Sequence, residues 1–351
     1  MLAQRIATAA PTLELAAIDD PRWTAFIESQ PDATLFHHPA WVQVLAEAYG
    51  YHAFLIVHSD EDGNIVAGMP VLDVRNALRG RRQISLPFTD SCPPLARHAQ
   101  QLTFFAQELT RWQVDAQSSI EIHGVLPDLD AIDRVQVGFG HQLSLERDPA
   151  RVFSRFHPNI RRWIRKSVRE GLTVRLGTSP ADLEPFYRLH WQTRRRLGVP
   201  LQPRCFFDSL WRRVIEPGFG FVAFVYLRER PIAADLFLAW NGTLIGKFNA
   251  SDQQFWSLRP NNLVVWAGIE WACRRGYRVL DFGKTDSENA GLRDFKMGWG
   301  STEVPLFYSY LGGPAPSPRD GLAARVLTRV IQASPPVVCR VAGELLYRQC
   351  A

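Results

Sequence analysis

Apolar residues run together where the chain predicts strands and recur every three to four positions where it predicts helices. Residues 12–30 predict a strand and then a helix that starts at Asp20-Pro21 and turns Trp23, Phe26 and Ile27 to one face. FHHPAWVQVLAEAYG predicts a second helix between Pro39 and Gly50, with Trp41, Val44, Leu45 and Ala48 buried. Residues 53–74 read as a hairpin about the turn DEDGN, followed by a basic bend, RNALRGRR, and a strand, QISLPFTD, ending at Asp90. A helix from Ala99 to Trp112, a strand in SIEIHG and a short strand near Gly140 to Leu145 complete a first mixed α/β unit.

The second half repeats this order more clearly. In HPNIRRWIRKSVREG, Ile160, Trp163, Ile164 and Val168 recur at helical spacing, leaving Arg161, Arg162, Arg165, Lys166 and Arg169 on the other face and Gly171 to end the helix. Glu170 is the only acid from Pro158 to Gly171, so this face is a candidate phosphate-binding surface for RNA or a phosphorylated substrate; a solvated helix face is the alternative. The arginines of WQTRRRLGVPLQPR end the next helix, where cations also satisfy its dipole. From Gly218 come three strands, the loop QQFWSLRPNN, a helix from Leu263 to Arg275 closed by Gly276, and the strand Val279 to Phe282. This β-β-β-α-β block, echoed faintly in the first half, predicts a tandem duplication.

The last of those strands opens into GKTDSENAGLRDFKMGWG, read as a polar, glycine-punctuated loop. A rigid strand end feeding a shaped loop is where α/β proteins place chemistry. Lys296 is the candidate catalytic residue and Phe295 its neighbour, while Asp281, Lys284 and Asp286 either shape the loop or cap the strand end. Asp90 is a candidate proton acceptor or a turn cap. His37-His38 reads as a capping pair, because adjacent side chains on an extended segment point opposite ways.

Composition adds limits. At 351 residues two cores are expected, and 46% hydrophobic residues are ample to fill them. The net charge of +5 is modest and matters through its clustering. Five scattered cysteines, with no C-x-x-C pair and no histidines at ligand spacing, indicate neither a disulfide framework nor a metal site. Arg5 and Glu14 interrupt the N-terminal apolar segment, and no charge-free apolar run reaches ~20 residues, so a cytoplasmic protein is expected. No Ser-His-Asp or Cys-His arrangement is evident, so no covalent enzyme intermediate is indicated. After the linker GGPAPSPRDG, helices at Leu322 to Gln332 and Val337 to Tyr347 carry arginines beside apolar faces, leaving peripheral contact with an anionic membrane open beside packing on the protein body.

FHHPAW, LPFTDSCPPL, HPNIRRWIRKSVREGL and above all LDFGKTDSENAGLRDFKMGWG together resemble the Fem family, the FemA, FemB and FemX aminoacyltransferases, and the wider Fem-like and BioF-associated acyltransferases. The resemblance covers most of the chain. It implies an α/β fold of tandem GNAT (acyl-CoA N-acyltransferase-like) domains with mixed sheets flanked by helices. These would be residues 1–147, with a final strand near 305–311 returning to them, and 148–304, followed by linker and amphipathic helices over 312–351. It implies an acyltransferase with Lys296 and Phe295 beside the reacting groups and, by a looser match, Arg204 on a substrate phosphate; Trp41, Lys284 and Asp286 are further candidates for substrate contact. The chain departs from cell-wall members at Val44-Leu45, where they carry a phosphate-binding lysine, and lacks room for the FemA and FemB helical hairpin.

No tightly bound cofactor is implied. In coenzyme-A-using GNAT domains a glycine-rich loop offers backbone N–H groups to the pyrophosphate. Here SLRPNN puts Pro260 and two asparagines there, favouring aminoacyl-tRNA as donor and leaving acyl-CoA open. The acceptor would be an amine on a small molecule, peptide or cell-envelope precursor. A non-catalytic protein that binds RNA or a polysaccharide precursor is the remaining alternative.

Overall fold

The structure, a computed structural model, describes residues 13–76, 80–116, 118–313 and 331–332. The described residues divide into two compact units, one within 13–42, 51–135 and 308–313, the other within 43–50, 136–307 and 331–332.

In the first unit β1 (Glu14–Ala16) is followed by α1 (Pro21–Ser29), which Asp20 starts by accepting the Arg22 N–H. Helix α2 (Pro39–Tyr49), of which the residues up to Val42 belong to this unit, starts where expected, with His38 Nδ1 accepting the Ala40 N–H, and it buries Trp41, Val44, Leu45 and Ala48. His37 is buried between the Thr34 N–H and the Pro93 carbonyl, so the pair caps and braces, as its spacing predicts. Strands β2 (His52–Ser59) and β3 (Ile65–Asn76) form the expected hairpin. The next strand, β4 (Gly80–Ile84), comes earlier than QISLPFTD suggests. It stops short of Asp90 because Leu86 (φ 115°) and Phe88 (φ 59°) leave the extended region. After β5 (Leu95–Ala96) and α3 (Ala99–Ala116), strand β6 (Ser119–Ile122) pairs parallel with β4. The core gathers Ile56, Met69, Phe105, Leu109, Ile120 and Leu311.

The second unit opens with β7 (Asp133–Ser144), twice the length its sequence suggests, then α4 (Pro149–Ser154) and α5 (Pro158–Arg169). Next come β8 (Leu172–Gly177), α6 (Leu183–Leu197), α7 (Arg204–Leu210) and a π-helical turn at Trp211–Ile215. Strands β9 (Gly220–Leu227), β10 (Arg230–Trp240) and β11 (Thr243–Ser251) form the expected meander. Helix α8 (Pro260–Arg274) then crosses over to β12 (Val279–Asp281), which pairs parallel with β11. The sheet order here is β7-β12-β11-β10-β9-β8. A short helix, α9 (Ala290–Met297), and β13 (Thr302–Leu311) follow, and Ser309–Leu311 pair with β6.

Two irregularities shape this sheet. Strands β11 and β12 pair only from Thr243↔Val279 to Ile245↔Asp281, after which β12 ends and β11 continues paired with β10. Just beyond, Lys247 is an extra residue in β11, so its register with β10 steps from Phe237↔Gly246 to Leu236↔Phe248. Helix α8 covers the gap, and its Gly268 lies so close to the Phe237 ring that a Cβ there would sit 2.3 Å from Cζ. The parted strands, the bulge and the glycine contact leave a hollow under α8 in an otherwise packed core.

Candidate active site

That hollow is a chamber of about 260 Å³, floored by the cross-strand pairs Asp235/Asn249 and Phe237/Gly246 and walled by Leu280, Phe282, Val265 and Lys296. Asn261, Leu292 and Phe295 line it too and also line a wider cleft of about 1170 Å³, so they stand where the two meet.

Lys296 reaches the chamber from a helix rather than a loop. Residues 290–297 coil because Asn289 caps them, its side chain accepting the Leu292 N–H at 3.2 Å, and Gly298 closes them. Behind the lysine, Trp299 is fully buried against Phe295 and Phe156, which anchors α9 to the core. Lys296 is 5% exposed, and its ammonium donates to the carbonyls of Gly283 at 2.8 Å and Lys284 at 3.2 Å. It therefore pins the backbone that leaves β12 while facing the chamber.

Asp235 is the site residue that sequence reasoning missed. It lies mid-strand in β10, 4% exposed, with Oδ2 accepting from Asn249 Nδ2 at 3.0 Å; Oδ1 is buried with no hydrogen-bond partner among the described residues. Burial pushes its carboxyl up to about 7, against opposing pulls from Asn249 and the Lys296 charge. A signal was present: an acid inside the apolar run IAADLFLAW has no reason to be there as a solvated side chain. Burial, aided by the Lys296 charge, likewise lowers His141 to about 4, so this histidine is neutral near pH 7.

The wider cleft is aromatic and polar. His157, Asn159, Ile160 and Trp163 line it from α5, Pro260, Asn261 and Asn262 from the start of α8, and Asn289 from the cap of α9. Two of its aromatic rings carry guanidinium groups: Arg259 lies 4.6 Å from the Trp163 ring centre and Arg196 lies 4.5 Å from that of Trp256. Desolvation lowers the Arg196 pKa, and among the described residues no carboxylate pairs with it.

The remaining candidates are scattered. Arg162, Arg165 and Arg169 are exposed on α5 and Arg161 is half-buried; Lys166 instead donates to the Ser257 carbonyl at 2.9 Å, fastening the turn before α8. None of these five lines the cleft, which α5 meets with its other face. Val168 is 59% exposed, contrary to expectation, and Ser167 takes the buried place because its hydroxyl lies within 3.0 Å of the Leu258 and Arg259 carbonyls. Lys284 lies 3.6 Å from exposed Asp286 beside the pinned backbone. Arg204 is held by Glu184 at 2.6 Å and Asp208 at 3.0 Å over the Tyr187 ring. Trp41 and Asp90 belong to the first unit: Trp41 is fully buried with Nε1 donating to Thr89, and the Asp90 carbonyl accepts from the Tyr308 hydroxyl at 3.2 Å. Among the described residues no group of three His, Cys, Asp or Glu side chains is placed to hold a metal ion.

Residues 154–297 match the acetyltransferase (GNAT) domain family. A crystal structure of FemX is 15% identical, covering 85% of this chain and 97% of that one, with a TM-score of 0.67. This is a Fem-like GNAT fold. L-PGS from Bacillus licheniformis has it too, at 13% identity over 91% of this chain and 99% of its own, with a TM-score of 0.56. So does the C-terminal domain (DUF2156) of a candidate lysylphosphatidylglycerol synthetase from Agrobacterium fabrum, at 12% identity over 88% and 94% with a TM-score of 0.55. No curated protein matches the sequence. The second unit thus carries a GNAT acyltransferase domain, with the parted strands, bulge and chamber inside the matched residues. No helix among the described residues is long and apolar enough to cross a membrane, and the helices expected over 322–347 lie almost entirely outside them.

Proposed function

We propose that this protein forms an amide bond by transferring an aminoacyl group from aminoacyl-tRNA to an amine acceptor such as a small peptide or envelope precursor. The observation that carries the reading is the small chamber holding Lys296, reached through a cleft that bears two tryptophan-arginine stacks. Stacking surfaces backed by cations suit the bases and phosphates of a single-stranded nucleic-acid end. The asparagines and proline at the start of α8 replace the glycine loop that would admit a coenzyme A pyrophosphate.

In this mechanism the ester carbonyl enters past Phe295 and its oxygen turns toward Lys296. As the amine attacks, negative charge grows on that oxygen; when the intermediate collapses the ester C–O bond breaks and the ribose oxygen of the tRNA leaves as a hydroxyl, taking up the proton that the amine gives up. A fixed ammonium in a partly dry chamber stabilises it by about 3 to 4 kcal/mol, roughly 10² to 10³ in rate. The Gly283 and Lys284 carbonyls hold the ammonium in place beforehand, so little reorganisation is needed at the moment of reaction. We assign no substrate contact to Trp41, which is fully buried, or to Arg204, which two carboxylates already neutralise. The catalytic half is residues 148–304.

The match to the acetyltransferase family favours a second reading, in which acyl-CoA is the donor. One assay separates them. With mixed charged tRNA and an amine acceptor, label should move to the acceptor, stop after RNase treatment, and fall by about 10² to 10³ in kcat for Lys296→Met. Transfer from acetyl-CoA that ignores RNase would overturn the tRNA reading, and an unchanged kcat in the variant would remove Lys296 from the chemistry.

A further inference from the structure

The floor of the chamber presents a carboxyl oxygen that no described residue satisfies. Asp235 Oδ1 is buried without a hydrogen-bond partner among the described residues, while Oδ2 is held by Asn249, so the group is fixed in orientation and half-used. A hydrocarbon acyl chain filling the space would leave that oxygen with the full desolvation penalty of an unpaired buried group. Lys296 lines the same chamber with the opposite charge. An incoming group therefore meets a donor of positive charge and an acceptor of negative charge within about 260 Å³.

An aminoacyl ester matches this pair, since its carbonyl oxygen wants a donor and its α-ammonium, one carbon away, wants a carboxylate. We propose that Asp235 is the subsite for the α-ammonium of the donor, so that the chamber selects aminoacyl esters over acyl groups that lack the amine. This rests on the aminoacyl-tRNA reading above and specifies what that reading leaves open, the feature by which the donor is recognised. The raised pKa of Asp235 fits an empty subsite, because an ammonium beside it would draw the carboxyl back to its ionised form.

The test compares two donors on the full chain: a charged tRNA, and the same tRNA carrying the matching α-hydroxyacyl ester, which is isosteric and uncharged. The unmodified protein should prefer the aminoacyl donor by about 100-fold or more in kcat/KM, as expected of a site built around a polar group of its substrate. Asp235→Asn should reduce the preference to within about tenfold, chiefly by losing activity on the aminoacyl donor. Asp235→Glu keeps the charge one methylene displaced and should retain part of the preference, a check that holds if the Asn variant fails to fold. Equal use of both donors by the unmodified protein, or an undiminished preference in Asp235→Asn, would overturn the proposal. So would equal losses on both donors with KM unchanged, which would make Asp235 the proton acceptor for the attacking amine. No transfer from either donor by the unmodified protein would instead overturn the aminoacyl-tRNA reading on which this one stands.

Discussion

Asp235 has a measurable consequence even without substrate. Its carboxyl is raised by burial to about 7, with Asn249 and Lys296 pulling the other way, whereas in the unfolded chain it titrates as an ordinary aspartate. Between those two values the folded state binds the extra proton, so its contribution to stability is full at low pH and is lost as pH rises toward 7. Asp235→Asn removes that loss. The variant should melt close to the unmodified protein near pH 4 and above it at pH 8, by on the order of 3 to 4 kcal/mol, as read from denaturant titrations at the two pH values. At this scale the sequence pointed to Lys296 and Phe295 through their place after a strand, while Asp235 showed only as an acid inside an apolar run and not as a site residue. The reason is physical: what makes that carboxyl unusual is the desolvation supplied by α8 and the neighbouring strands, which its own strand cannot express.

Among elements, α8 against β10 is the contact on which the chamber depends. Gly268→Ala would place a methyl against the Phe237 ring, which is fully buried and cannot retreat without entering the hollow. The variant should lose about 1 to 3 kcal/mol in chemical denaturation and, at permissive temperature, lose transfer activity as the chamber fills. Most helices and strands were legible because their apolar rhythm and caps agree, as in α1, α2 and the β9-β10-β11 meander. The sequence of helix α9 reads as loop because its few apolar residues form too short a rhythm, and tertiary anchoring through Trp299 supplies the missing stability. The inversion of Ser167 and Val168 has the same origin, since a serine is buried there only because two loop carbonyls face it.

Across the whole molecule the modest net charge hides a local excess. Arg162, Arg165 and Arg169 are exposed on one helix, and Arg165 lies 5.5 Å from the Phe153 ring centre. If tRNA is the donor, these side chains contact its phosphates outside the cleft. Replacing the three together with glutamine should lower the slope of log affinity against log salt by roughly 2 to 3, while leaving kcat at saturating tRNA within about twofold. Filter binding across a salt series reads the first quantity and single-turnover kinetics the second.

By itself the amino-acid sequence determined most of the order of secondary structure, the resemblance to a duplicated acyltransferase, and the segment that bears Lys296, because these follow from local periodicity, caps and contiguous residues. Only the tertiary structure decided that β11 and β12 part after three paired residues, that a bulge and a buried glycine open a chamber there, and that Asp235 and Lys296, 61 positions apart, line it together. Desolvation and opposite charges sharing one space arise from distant stretches packing together, and no local pattern encodes them.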